Sequence, residues 1–321
     1  MTRYARQTIL PEVGAEGQNR LASARVLVVG AGGLAAPVLP LLAGAGVGHI
    51  TIVDGDTVDL SNLHRQTLFA EADCGQPKAQ IAAQRCKALN SEITVVGLKQ
   101  SLNPINAATL VADHDAVLDC ADSYAASYIL SDSCLAQITP LISASVLGLG
   151  GYVGGFCGGA PSLRAVFPDA PNSGASCATA GVLGPVVGVI GAMQAQMALA
   201  VILGLAPSPL GQMVQYDART LRSTSFRFDG APEPDHGFAF VASDHLGPQD
   251  IVIDLRDETE APEPAHKAAL RIAPGAVAET LKPQNTRLAL CCASGLRAWR
   301  EAETLSPNWP GEIVLVAAST S

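Results

Sequence analysis

Short β-branched runs alternating with stretches of helical length predict an α/β fold for this 321-residue chain. The expected architecture is a doubly wound, mainly parallel sheet with an antiparallel extension, followed by a small second α/β domain. Three observations carry the prediction. Arg25 to Val29 (RVLVV) is followed by a glycine turn, an apolar stretch and HITIVD at His49 to Asp54, which is the strand–helix–strand unit of a parallel sheet. The alternation then repeats: a helix at Lys78 to Leu89, a strand ITVVGL, a helix near Pro104 to Ala112, a strand AVLDC and a helix near Tyr124 to Leu135. Beyond an acidic break, DIVIDL and RLALCC supply two further buried-strand candidates.

Between these blocks the texture changes. PLISASV, GGYVGGF and SLRAVF read as strand-like pieces that extend the sheet antiparallel. From Ala170 to Tyr216 no residue is charged, and Gly181 to Leu205 is long enough to cross a bilayer. Gly184, Pro185, Gly188, Gly191, Gln194 and Gln196 interrupt it and no basic flank lies close by, so a core or interface helix is expected instead of a membrane span. Asp229 to Pro264 carries ten acids and one base, matching the whole net charge of −9. A Pro-rich acidic stretch buries little apolar surface, so its first part reads as a linker. The expected division is 1–228, a linker at 229–249 and a second domain at 250–318.

Composition excludes several classes. Twenty Lys and Arg against 29 Asp and Glu leave no basic footprint for nucleic acid or an anionic membrane. Eight cysteines show no CxxC spacing and the N-terminus has no apolar signal core, so a reducing cytoplasm is the expected compartment.

Gly30, Gly32 and Gly33, with Ala35, form a G-x-G-x-x-A pattern where strand turns into helix. Glycine there lets backbone N–H groups approach a phosphate beside the positive end of a helix, the nucleotide site of a Rossmann-like fold. Asp54, at the end of the next strand, can accept from ribose hydroxyls. These signals alone fit a NAD-dependent oxidoreductase equally well. Arg65 and Lys78 add fixed positive charge near the phosphates, which favours ATP.

RYARQ at Arg3 to Gln7, GAGGLA, SNLHRQ at Ser61 to Gln66, GQPK ending at Lys78, DCAD at Asp119 to Asp122 and CATAGVLGP at Cys177 to Pro185 occur in that order. Over roughly Arg3 to Phe228 the chain resembles the ThiF/MoeB/HesA family, sulfur-carrier adenylyltransferases related to ubiquitin-activating enzymes. The resemblance implies that Asp54 binds ribose and that Ser61, Asn62, Arg65 and Lys78 grip the triphosphate. It further implies that Ser123 lines the nucleotide site and that Asp122 holds Mg²⁺; a helix N-cap is the competing role for Asp122. Arg6 would reach the partner subunit's site, which implies a homodimer. The implied reaction is adenylation of the C-terminal glycine of a ubiquitin-like sulfur carrier, followed by thiocarboxylate formation in a thiamine or molybdopterin type pathway.

Two cysteines are candidates for the sulfur step. Cys177 lies in the small-residue loop PNSGASCATAGV, and by the resemblance the equivalent cysteine can carry the carrier's C-terminus. VIDLRDETE, APGAV and CASGLRA resemble a rhodanese-like domain over about 250–316. Cys292, at a strand end before a glycine loop and a helix, would accept sulfane sulfur from a cysteine desulfurase or persulfide donor. Arg297 would add charge, while Cys291 reads as core.

The chain also departs from the family. Many members bind structural zinc through two CxxC pairs, but Ser162 and Ala165 stand at the first pair and no cysteine falls near Pro232 to Phe240. Zinc is not expected. Ser123, Ser127 and Met197 replace the Asn, Arg and acid usual in relatives, so a docking member that binds a carrier without adenylating it is the alternative.

Overall fold

The computed structural model describes residues 3–170 and 181–318. The chain enters through α1 (Gly14–Ser23) and lays down β1 (Arg25–Val29), α2 (Ala35–Ala45), β2 (His49–Val53), α3 (Lys78–Leu89) and β3 (Thr94–Leu98). It continues with α4 (Ala107–Ala112), β4 (Ala116–Asp119), α5 (Tyr124–Gln137), β5 (Pro140–Leu147), β6 (Gly150–Cys157) and a short α6 (Leu163–Val166). The long α7 (Gly184–Leu203) and the pair β7 (Gln212–Asp217) and β8 (Arg222–Arg227) complete the first sheet. Its order is β3-β2-β1-β4-β5-β6-β7-β8. The first five strands are parallel and the last three run antiparallel. β4 is buried along its whole length and β1 everywhere but Arg25, because helices cover both faces of the sheet there.

The second sheet is built from β9 (Ala239–Phe240), β10 (Ile251–Asp254), β11 (Leu270–Arg271), β12 (Leu288–Cys292) and β13 (Ile313–Ala317), with α8 (Val277–Thr280) and α9 (Leu296–Leu305) between strands. All its pairings are parallel, in the order β11-β10-β12-β13-β9. β9 lies inside the segment expected to be linker, so the second sheet recruits an edge strand from the acidic stretch. Glu233, also in that stretch, accepts hydrogen bonds from Ser162 N at 2.7 Å and Ser162 Oγ at 2.5 Å. The two segments for which the family resemblance implies zinc ligands are joined here by hydrogen bonds.

SLRAVF, expected as a strand, forms the one-turn α6 instead. Ser162 caps it, its Oγ accepting from Ala165 N at 3.3 Å. A serine able to bond the backbone three residues on favours a helix start over a ladder. α7 is the apolar segment long enough to cross a bilayer, and half of it is buried against α2, β5 and β6. Its buried Gln194 is satisfied by the carbonyls of Asp119 at 2.7 Å and Ile142 at 2.9 Å, so α7 packs as a helix of the core.

Candidate active site

β1 ends at the loop that opens α2. Gly30 there has φ +89°, and a Cβ on it would lie 2.6 Å from the carbonyl oxygen of Cys120 on the neighbouring strand end. Only glycine takes that conformation without strain and fits that space. The loop borders a cavity of about 870 Å³ at the carboxyl ends of the parallel strands, lined by Gly30, Gly32, Gly33, Asp54, Arg65, Lys78, Asp122 and Ser123. This is where open α/β sheets place ligands.

Asp54 is tied to the glycine loop: its Oδ2 accepts from Ala31 N at 2.7 Å and its Oδ1 from Asp56 N at 2.8 Å. Burial raises its pKa above the ordinary carboxylate value, while those two bonds and Lys78 act in the opposite direction. Each oxygen keeps a further lone pair for a sugar hydroxyl. Lys78 opens α3, is almost fully buried, and pairs with Asp56 at 3.0 Å. Arg65 Nη1 lies 2.9 Å from His64 Nε2. Asp122 is exposed, and the N-cap of α5 falls on Ser123, one residue later, so the competing capping role for Asp122 is not the one seen.

Beneath Asp122, the fully buried Asp119 accepts from Ser143 Oγ at 2.8 Å and from Ala121 N at 3.2 Å, which fixes the loop that presents Asp122. Desolvation pushes the Asp119 carboxyl up to about 6.

Other expected residues lie elsewhere. Ser61 and Asn62 sit in a 3₁₀ turn capped by Asp59, Ser61 donating to Asp59 Oδ1 through both N and Oγ, and neither residue lines the cavity. Arg6 is exposed and outside the cavity of its own chain. Cys177 lies outside the described residues. Sequence reasoning passed over Gln66, a buried cavity-lining residue whose Oε1 has no hydrogen-bond partner among the described residues. Its signal was present, as the last residue of SNLHRQ.

Cys292 ends β12 with its side chain fully buried, its Sγ accepting from Ala298 N at 3.3 Å. One backbone N–H therefore reaches the sulfur. Arg297 is committed to Glu260, with one contact at 2.8 Å, and to the Leu255 carbonyl at 3.4 Å. Cys291 is buried on the other face, and desolvation pushes its thiol up to about 12.

Residues 4–237 match the model of the ThiF family. The chain belongs to the ThiF family. Among curated relatives of this ThiF-family chain is the adenylyltransferase and sulfurtransferase MOCS3 of Sus scrofa, 45% identical over 219 residues. That alignment covers 67% of this chain and 48% of the relative, so the chain spans about half the length of the MOCS3 protein it matches. The sulfur carrier protein adenylyltransferase of Thermus thermophilus is 41% identical over 226 residues, covering 68% of this chain and 83% of that protein. Among solved structures, E. coli MccB with ATP superposes with a TM-score of 0.64 at 22% identity, covering 73% of this chain and 74% of that one. At that identity the likeness concerns the fold. The family assignment sets aside the dinucleotide oxidoreductase reading of the glycine loop.

Proposed function

We propose that this chain is a nucleotidyltransferase that adenylates the C-terminal glycine of a ubiquitin-like sulfur carrier with ATP, and then takes part in sulfur transfer to form a thiocarboxylate. The observation that carries the reading is the convergence of the glycine loop, Asp54, Arg65, Lys78 and Asp122 on one cavity. A carboxylate is a poor electrophile. Its oxygen attacks the α-phosphorus, a new P–O bond forms, the bond to the bridging oxygen breaks, and pyrophosphate leaves with the electron pair. Lys78 and Arg65 place positive charge where the phosphoryl oxygens gain negative charge. Asp122, exposed at the cavity, fits a single-carboxylate Mg²⁺ site completed by phosphate oxygens, and the ion would neutralise phosphate charge.

The sulfur step falls to Cys292, with Cys177 as the second thiol and a desulfurase-type persulfide as donor. Because Cys292 is fully buried, loading it requires a local opening around the end of β12. A homodimer is part of the proposal: Leu41 on α2 and Leu183 and Val189 at α7 are exposed apolar residues, and the exposed Arg6 would serve a second copy. A cytoplasmic location suits the seven described cysteines, all free thiols.

The test is ATP–pyrophosphate exchange with purified protein and small Gly-Gly-ending proteins. Exchange that depends on one carrier supports the reading. Tight ATP binding with no exchange by any carrier overturns it in favour of a docking member, with Ser123, Ser127 and Met197 as the substitutions responsible.

A further inference from the structure

The family match ends at 237, yet the cavity does not end there. Its far wall comes from the C-terminal domain: Phe240 to Asp244, Arg256, and Val316 to Ala318. We propose that the C-terminal domain is a working wall of the adenylation cavity and that Trp299 is a positioning residue for the α5 start that presents Asp122.

The contacts between the two sheets support this directly. Trp299, fully buried on α9, lies with its ring centroid 5.4 Å from that of Tyr124 and 4.7 Å from that of Tyr128, both on α5. The Arg164 guanidinium lies 5.0 Å from the Trp299 centroid and 4.9 Å from that of Tyr128, and it also donates to the Phe238 carbonyl at 3.1 Å. Glu303, also on α9, accepts from Trp299 Nε1 and from Ala170 N, each at 2.7 Å. One apolar cluster runs from Val29 and Ile129 of the first domain to Phe240 and Trp299 of the second. Domain interfaces are ordinarily polar and permit relative motion, whereas a large buried aromatic interface opposes it.

The decisive contact is at the helix start. The first N–H groups of a helix have no partner within it. Ser123, the N-cap of α5, makes no side-chain cap, and Ala125 N donates instead to the carbonyl of Ser294 at 3.2 Å. The loop after Cys292 therefore finishes the helix that begins immediately after Asp122 and Ser123. Gly295 in this loop has φ +86°, and a Cβ on it would lie 2.5 Å from the Phe240 ring and 3.2 Å from Ala125 Cβ, so the loop fits tightly between the two domains. A shift of the C-terminal domain moves the first turn of α5 and one wall of the cavity together. In the packed state the chain is arranged for adenylation.

The inference rests on the adenylation reading, and the test separates the two. ATP–pyrophosphate exchange is measured on the full chain with a Gly-Gly-ending carrier, and Kd for a non-hydrolysable ATP analogue by calorimetry. Ala242→Trp and Ser243→Trp, made separately because consecutive side chains diverge, fill the far wall; Ala268→Trp, exposed and outside the cavity, is the control. The proposal expects at least one filling variant to raise KM for ATP and the analogue Kd by about fivefold or more, with the control near wild type. It expects Trp299→Ala to lower kcat about tenfold, with Trp299→Phe recovering most of the loss. Wild-type KM, kcat and Kd in both filling variants would overturn the wall, and wild-type kcat in Trp299→Ala would overturn the positioning role. If Trp299→Ala does not fold, the filling variants and Trp299→Phe decide. If the wild type shows no exchange, the adenylation reading fails, and the analogue Kd still decides whether the wall is real.

Discussion

Two strand–loop–helix turns in this molecule share one local design and have opposite access. After β1, Gly30 in a left-handed conformation leads into α2; after β12, Gly295 in a left-handed conformation leads into α9. The first turn opens onto a polar cavity of about 870 Å³, whereas the second is closed by α5 and Phe240, with Cys292 fully buried behind it. A glycine turn ahead of a helix offers N–H groups to a ligand in either place. What packs in front of the turn decides whether the offer is open, and that is a property of tertiary structure.

The largest effect should come from the open turn. Lys78→Ala should reduce the exchange rate by about 10²–10³-fold, as expected when a preorganised charge is removed from a developing anion. A thermal melt run alongside shows whether the fold survives loss of the Lys78–Asp56 pair. Near-wild-type exchange by a folded Lys78→Ala would break the assignment of the open turn to phosphate.

The closed turn should respond in the opposite way to a change in its cover. Trp299→Ala removes a fully buried ring and should destabilise the chain by about 3–5 kcal/mol. Alkylation of Cys292 by iodoacetamide, mapped by peptide mass, should be slow in the wild type and faster in this variant. Fast alkylation of the native wild type would show that the turn is not closed in solution.

Asp119 sharpens the comparison from beneath the open turn. Its carboxyl is pushed up to about 6 from an ordinary 3.8. Below about pH 4 both folded and unfolded chains hold the proton; between about 4 and 6 only the folded chain does, so the group's contribution to stability falls as pH rises. Asp119→Asn should therefore gain about 1–3 kcal/mol relative to wild type between pH 4 and 7, read by urea unfolding across that range. Asp73, whose pKa is lowered first by the Ala70 N–H and then by Arg85, and Asp250, lowered by Arg287, drive stability the other way and cancel in the difference. A difference that stays flat with pH would contradict the buried, charged assignment.

The smallest effect tests the link between Ser162 and Glu233. Ser162→Ala loses the helix cap and the Oγ bond to Glu233 while its N–H keeps the other bond, and should cost about 1–2 kcal/mol in the same unfolding assay. No change would mean that the Ser162 hydroxyl does not hold the segment.

Much of this was legible in the sequence. The parallel core was readable because β1 to β4 are short apolar runs punctuated by helices, and the glycine loop and Asp54 were readable because their spacing carries a mechanism; Lys78 was read from its charge, and Asp122 came only through the family resemblance. SLRAVF misled because six residues, four of them apolar, have no decisive period, and a single serine cap tipped it to helix. β9 was hidden because two residues leave no pattern, and acidic, proline-rich flanks gave the segment a linker's composition. The far wall of the cavity was not legible at all, since nothing local to Trp299, Phe240 or Ser294 says that they meet α5. Burial of Cys292 is likewise a property of the tertiary structure.

The most direct test of the central claim is intact mass measurement of a Gly-Gly-ending carrier incubated with this protein, ATP and magnesium. The account predicts an AMP adduct on the carrier that requires Lys78 and is released by pyrophosphate. A carrier of unchanged mass, with ATP demonstrably bound in the cavity, would contradict it.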